Sequence, residues 1–249
     1  MKMRSQYGVL DQGGRPNSWR LFGIDRVAPI MVDLENPVKA LVVSATPFDG
    51  MLGCGGTIKR LVDRGSQVKV VAFAMETSIG SLGTRPSSIR QAMEASLDVL
   101  GCRDLEVLDQ DRTEGQHVLW LLDLLCHYGP KEVFIPSFFE RTSGSQRAAM
   151  ATMRAVEMYP GRLIINSYEV MTPIDPNSLV NITESVGHKF ESITKNAWTD
   201  EIWTVAEKIV GLNAYRSLAA TDGSRFCEAF VRGGPEIIEE EARKAGLLP

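Results

Sequence analysis

The sequence predicts an α/β fold: a mostly parallel sheet with helices packed on both of its faces. Three observations lead there. Apolar runs rich in β-branched residues recur along the chain, as strands buried on both faces require. Between them lie segments whose apolar residues fall at helical spacing. The alternation repeats at the length of a β-α unit, and right-handed crossovers turn such repeats into a parallel sheet.

The elements follow in order. Residues 1–37 lack the pattern and are punctuated by Gly13, Gly14, Pro16, Pro29 and Pro37. They read as an irregular N-terminal extension ahead of one α/β domain over 38–249. VKALVVSA (38–45) is the first strand, ending in the polar turn Thr46-Pro47-Phe48-Asp49-Gly50. From Gly55 to Asp63, Ile58, Leu61 and Val62 mark a helix that Gly65 stops. QVKVVAFAM (67–75) is the next strand, and Ile89, Met93, Leu97 and Leu100 share one face of a helix over 87–101. LEVLD (105–109) is a short strand, HVLWLLDLLCHYG (117–129) an apolar helix and KEVFIPS (131–137) a strand. A helix over 145–159 and the strand RLIINSYEV (162–170) complete the regular part. The pattern then loosens. MTPIDPNSLVNI has two prolines and a strand-like end, followed by helices over roughly 184–197 and 199–219. SRFCEAFVRGG reads as a last strand before an acidic helix containing Glu239, Glu240 and Glu241. No internal repeat or low-complexity linker divides the chain, so the expected architecture is a single Rossmann-like domain.

Composition narrows the function classes. A chain of 249 residues buries a substantial core, and 44% hydrophobic with 23% charged residues suits a globular protein. A formal charge of −4 argues against a nucleic-acid partner, which would favour a basic face. No run reaches the roughly 18 apolar residues of a membrane span, and the start lacks the apolar segment of a secretory signal. A cytoplasmic location without a membrane span is therefore expected. Four widely spaced cysteines without a CxxC pair read as small buried hydrophobes, and three separated histidines form no HxxH or HExxH motif.

In an open parallel sheet, ligands bind outside the carboxyl ends of the strands. The turns after 38–45, 131–137 and 162–170 should then share one cleft, joining Thr46–Asp49, Phe138–Gln146 and Met171–Pro176. Gly53, Gly55 and Gly56 suit either backbone amides facing an anion or close helix–sheet packing, and packing is the preferred reading. Asp49 suits a substrate hydroxyl or a local cap. Glu140, Arg141 and Arg147 are candidate ligand-binding residues, the arginines for a phosphate or carboxylate. Arg90 and Glu94 read as a solvated i,i+4 pair, and Trp120, Trp198 and Trp203 as core.

Several segments together carry a resemblance. They are Ala45-Thr46-Pro47-Phe48-Asp49-Gly50 followed by Leu52-Gly53-Cys54-Gly55-Gly56-Thr57, and Ser143-Gly144-Ser145-Gln146-Arg147-Ala148 at a helix start. SYEVMTPIDPNSLVNIT (167–183), the helix bearing Lys189, and Cys227-Glu228-Ala229-Phe230 complete the set. Over roughly residues 38–232 the chain resembles the LmbE/PIG-L family of zinc-dependent N-deacetylases, whose motifs read A-H-P-D-D-E and H-P-D-H-R-A. The resemblance implies an LmbE-like fold and an ancestral chemistry in which zinc polarises an acetyl carbonyl and supplies hydroxide.

The same resemblance locates the departures. Thr46 stands at the family's first histidine ligand, Phe48 at its general base, Gln146 at its second histidine ligand and Ser143 at the other motif histidine. Only the carboxylate ligand survives, as Asp49. Hydroxyl and amide groups are poor zinc donors, and phenylalanine accepts no proton. The expectation is a cleft lined by Thr46, Phe48, Asp49, Ser143 and Gln146, with no metal, no cofactor and no assigned catalytic residue. Three readings remain open. The first is a retired deacetylase kept as a ligand-binding or partner subunit in amino-sugar or glycoconjugate metabolism, with a protein partner or homo-oligomer. The second is a metal-independent enzyme using the same cleft. The third is an active deacetylase with recruited ligands such as His188 and Glu140.

Overall fold

One sheet organises the chain. The computed structural model describes residues 29–34, 36–73, 86–108, 113–195 and 201–248. Its strands are β1 (Ile30–Met31), β2 (Lys39–Ser44), β3 (Gln67–Phe73), β4 (Asp104–Leu108), β5 (Glu132–Pro136), β6 (Ile164–Tyr168), β7 (Ser178–Asn181) and β8 (Cys227–Gly233). The helices are α1 (Asp49–Asp63), α2 (Pro86–Val99), α3 (Glu114–Tyr128), α4 (Ser143–Met158), α5 (Val186–Thr194), α6 (Glu201–Arg216) and α7 (Pro235–Lys244). The strand order is β1-β7-β8-β6-β5-β2-β3-β4. β8 runs antiparallel to β6 and β7, and every other pairing is parallel.

The side-chain alternation of the central strand builds a core on each face. Ala40 and Val42 pack on the side of α1 and α5, while Leu41 and Val43 pack on the side of α3, α4 and α7. This is the double burial expected of a continuous apolar run in a parallel strand. Among the described residues no helix is long and apolar enough to cross a membrane.

The structure departs from the sequence reading in a few places. Ile30 and Met31, within the stretch expected to be irregular, pair with Ser178 and Leu179 as an edge strand, and Leu34 is buried. Two residues are too short a run to show a period, so no sequence pattern announces this strand. Helix α3 begins at Glu114 because Thr113 and Gln116 form a capping box ahead of the apolar run. Cys54, Cys102 and Cys227 are buried as expected, but Cys126 is exposed on α3. Arg90 and Glu94 form an exposed pair at 3.6 Å. Trp120 packs against the core, whereas Trp203 stays half exposed, its ring edge-to-face with Phe190. Trp198, residues 1–28, and the element ends expected at 74–75, 109, 196–197 and 199–200 lie outside the described residues.

The most consequential difference is in α1. It starts at Asp49 rather than Gly55, and it breaks at Cys54, whose backbone (φ −137°, ψ 24°) is not helical. A helix that restarts exposes unpaired N–H groups. Those of Gly56 and Thr57 donate to the two oxygens of the Glu228 carboxylate at 2.9 and 2.7 Å. Lys189 Nζ donates to Glu228 Oε1 at 2.7 Å, and both side chains of this pair are fully buried. Ser185 Oγ donates to the Gly56 carbonyl at 3.0 Å.

The glycines on either side of the break serve packing. A Cβ on Gly53 would lie 2.2 Å from the Tyr168 ring, and one on Gly56 would lie 2.7 Å from Ile182. Both readings of the glycine-rich corner therefore hold. It packs closely on the sheet, and its amides face an anion, but that anion is the protein's own Glu228.

Removing one partner from a buried ion pair costs about 3–5 kcal/mol, because the other charge is left uncompensated. Lys189→Met is expected to destabilise the fold by that order, read as a lowered urea midpoint at unchanged slope. A loss within experimental error would refute the role given to the pair.

Candidate functional site

The first turn of the site is built by the end of β2. Ser44 Oγ donates to the Thr46 carbonyl at 2.7 Å and accepts from Gly50 N at 2.8 Å, closing the chain between strand and helix. That closure turns Asp49 back onto its own turn. Thr46 Oγ1 donates to Asp49 Oδ1, and Thr46 N donates to Oδ2 at 3.3 Å. Thr46 Oγ1 also accepts from Phe48 N at 3.4 Å. Asp49 is only 6% exposed.

The start of α4 supplies a third donor. Thr142 caps this helix by accepting from Ser145 N at 3.1 Å, and the two hydroxyls are 2.6 Å apart. Ser145 Oγ donates to Asp49 Oδ2 at 3.4 Å, so the Thr142 proton falls to the Ser145 oxygen. Both oxygens of Asp49 are thus engaged by hydroxyl and amide donors of the chain itself.

A second carboxylate ties the next loop. Glu140, in the β5–α4 turn, is 2% exposed. Its Oε1 accepts from Val170 N at 2.7 Å and from Met171 N and Thr172 N, each at 3.1 Å. The same loop is held further on by Glu169, whose Oε2 accepts from Ile174 N at 3.1 Å. Arg216 Nε donates to Glu169 Oε1 at 2.9 Å, and its Nη2 donates to the Ile174 carbonyl at 2.8 Å. Beneath them Tyr168 OH donates to the Val43 carbonyl at 2.8 Å.

The remaining expected site residues are placed as follows. Gln146 is half-buried, and its Nε2 donates to the Phe138 carbonyl at 3.4 Å. Ser143 is exposed at the first turn of α4, where its carbonyl accepts from Arg147 Nε at 3.3 Å. Arg141 and Arg147 are exposed. Phe48 is half-buried against the core on the α1 side of the sheet. Hydrogen bonds bring Thr46, Asp49 and Ser145 together, while no described hydrogen bond joins Gln146, Ser143 or the two arginines to Asp49. His188 is exposed on α5.

Residue-by-residue reading passed over Ser145. The signal for it existed: Thr142 three residues ahead is a helix-capping pattern, which places the Ser145 hydroxyl at the helix mouth.

No family model matches the chain, and no curated relative matches it. Solved structures do. A diacetylchitobiose deacetylase from Pyrococcus horikoshii aligns at 22% identity over 82% of this chain and 88% of that one, with a TM-score of 0.67. A teicoplanin deacetylase aligns at 11% identity over 79% of this chain and 98% of that one, with a TM-score of 0.59. The 4-carboxy-2-hydroxymuconate hydratase of Pseudomonas putida aligns at 16% identity over 78% and 95%, with a TM-score of 0.65. The fold is that of the LmbE/PIG-L deacetylases.

At the positions that the LmbE/PIG-L resemblance assigns to zinc, the donors are engaged within the chain. The Thr46 hydroxyl points its proton at Asp49, Asp49 has both oxygens occupied, and the Gln146 amide nitrogen faces a backbone carbonyl. A tetrahedral zinc site wants imidazole, thiolate or free carboxylate donors. Among the described residues, no three His, Cys, Asp or Glu side chains converge as a metal-holding group. These residues do not fit zinc.

The electrostatics of the site are those of buried acids. Burial raises the Asp49 pKa above its ordinary value, against the opposing pull of the Thr46 and Ser145 hydrogen bonds. Burial likewise raises Glu140, the three backbone N–H groups oppose it, and the nearby Asp49 charge adds to the rise. Burial pushes the Tyr168 phenol far above its usual range.

The sign of the pH effect follows. A carboxyl whose folded pKa is raised binds more protons folded than unfolded, so stability falls as pH climbs from its unfolded to its folded pKa. Asp49→Asn removes that penalty. The stability of the variant relative to wild type should be most favourable above the folded pKa of Asp49. It should become less favourable as pH falls toward the ordinary aspartate range. Denaturant midpoints of both proteins across that range check this; a difference that stays flat or runs the other way refutes the assignment.

Proposed function

We propose that this LmbE/PIG-L deacetylase-like protein has lost zinc-dependent N-deacetylation. In this reading the cleft is retained for binding, as a ligand-binding or partner subunit in amino-sugar or glycoconjugate metabolism. The observation that carries the reading is the closure of Asp49 onto Thr46 and Ser145. The one carboxylate left from the family's ligand set is satisfied by hydroxyl and amide protons. The side chains at both imidazole positions, Thr46 and Gln146, are likewise turned onto the protein. Support for a sugar-type ligand comes from the fold neighbours, one of them a deacetylase of N,N'-diacetylchitobiose and another of teicoplanin. Phe48, packed against the core on the α1 side, offers no group that accepts a proton where the family resemblance puts the general base.

Two measurements test the proposal. Elemental analysis of protein purified without chelator should find zinc far below one per chain. A stoichiometric, tightly held zinc would sink the reading. The combined variant Thr46→His, Phe48→Asp, Gln146→His rebuilds two imidazoles beside Asp49 and frees that carboxylate from Thr46. It should take up about one zinc per chain, because three protein ligands with an open fourth position suffice. Deacetylation of a small N-acetylated sugar by this variant should stay weak, since catalysis also depends on groups that orient the ligands, which the three substitutions do not supply. A folded triple variant without zinc would mean that the backbone of the site has diverged along with its side chains.

A further inference from the structure

The carboxyl of Glu241 joins the C-terminal helix to the sheet at a point outside the candidate site. Glu241 is on α7 and only 4% exposed, and Ile238 and Ala242 of the same helix are fully buried in the core. Ser137 Oγ, just past the end of β5, donates to Glu241 Oε1 at 2.8 Å. Ser167 Oγ, in β6, donates to the same oxygen at 2.9 Å. Glu241 Oε2 is sealed from solvent and meets no hydrogen-bond partner among the described residues.

The two oxygens are therefore unequal. An ionised carboxylate would bury a charge with one oxygen bare, which costs far more than burying a neutral hydroxyl there. A proton on Oε2 leaves Oε1 as the acceptor that both serines need. Lys244, three residues on along α7, is the charged group that acts on Glu241, but it is exposed and bound to Glu240 at 2.7 Å. Charged groups on the surrounding elements face elsewhere. On β8, Arg232 pairs with Glu132 and Glu228 with Lys189. On α4, Arg154 reaches Glu114, while Arg147 and Glu157 are exposed. In the β5–α4 turn Glu140 binds the loop after β6, and Tyr168 of β6 turns its OH to Val43. On α7 itself Arg243 pairs with Glu239. Burial accordingly holds the Glu241 carboxyl above the ordinary glutamate range, against the pull of the two serines and Lys244.

Ser137 ties this helix to the candidate site. Its Oγ accepts from Phe139 N at 3.1 Å, and its carbonyl accepts from Glu140 N at 3.1 Å. The Phe138 carbonyl beside it takes the Gln146 amide.

We infer that Glu241 is a proton-operated latch: α7 stays seated on the sheet while this carboxyl is neutral, and its ionisation loosens α7 together with the β5–α4 turn. The latch is independent of what the cleft binds. Opening α7 lets Glu241 reach water, where it ionises at the ordinary glutamate pKa. Between that value and the latched pKa each opening releases one proton, so the opening constant rises about tenfold per pH unit. The stability that the latch contributes is complete below the ordinary glutamate pKa and is lost as pH climbs to the latched value.

Hydrogen exchange of the full chain, read by mass spectrometry from the ordinary glutamate range to mildly alkaline pH, tests this. Each rate is divided by the intrinsic amide rate at that pH. Segments in α7 and in the β5–α4 turn should lose protection together in wild-type protein, by about tenfold per pH unit over the window. Glu241→Gln keeps an acceptor for both serines and cannot ionise, so it should show no such slope. Ser167→Ala removes a donor that favours the ionised form, so its window should extend to higher pH. If Glu241→Gln fails to fold, the wild-type slope and the Ser167→Ala shift decide. Flat protection of α7 in wild type, a slope that persists in folded Glu241→Gln, or a window that Ser167→Ala fails to extend each overturns the latch. Loss of protection in α7 with the turn unchanged overturns its link to the cleft.

Discussion

Everything in the central part of this fold turns on a carboxylate that never meets solvent. Glu228 reaches from β8 to the broken middle of α1 and takes the N–H groups that the break leaves open, with Lys189 from α5 balancing its charge. A helix broken in its interior would otherwise bury unpaired donors at a cost of about 1–3 kcal/mol each. With the break stabilised, the first turn of α1 stays tied to the end of β2 through Gly50 N and Ser44 Oγ. Gly53 and Gly56 allow both halves to approach Tyr168 and Ile182 more closely than a side chain would permit. The position of Asp49, on the first turn of α1, is a consequence of that packing.

The site itself shows how buried carboxylates are accommodated by hydrogen-bond donors of the chain. A buried carboxylate without a cation is costly unless hydrogen bonds or protonation relieve it. Here the relief comes from a threonine three residues earlier and a serine at the next helix start, so that Asp49 is held by the chain alone. Glu140 solves the same problem differently. It spends one oxygen on three backbone amides of the neighbouring loop and so fixes that loop's course. Glu169 and Arg216 hold the far end of the loop. Each of these acids serves as an anchor for backbone donors.

Much of this was legible in the order of residues. The strands over 38–45, 67–75, 105–109, 131–137 and 162–170 announced themselves as apolar runs because both faces of the sheet are covered. The helices showed their apolar faces, and the last strand and acidic helix were placed correctly. That positions 46 and 146 carry Thr and Gln and no imidazole needs no structure to be seen. What escaped was local or long-range. β1 is too short for a period, and Ser145 is a helix-start residue whose importance depends on what lies across the turn. The glycine corner looked like either a packing device or an anion site, and a one-dimensional reading must choose between them.

The sequence by itself determined the α/β class, the succession of elements and the absence of the family's zinc donors. These depend on periodicity and residue type, which are properties of short stretches. Only the tertiary structure decided which donors the buried carboxylates meet. That Glu228 answers Gly56 and Thr57 is a pairing across more than 170 positions. That Ser145 answers Asp49 spans 96. Contacts of this kind follow from strand order and helix packing, and no local pattern encodes them. The reversal that inserts β8 antiparallel between β6 and β7 is of the same kind. Its alternating residues would fit either strand direction, and the direction was settled by the path the chain takes to reach the sheet.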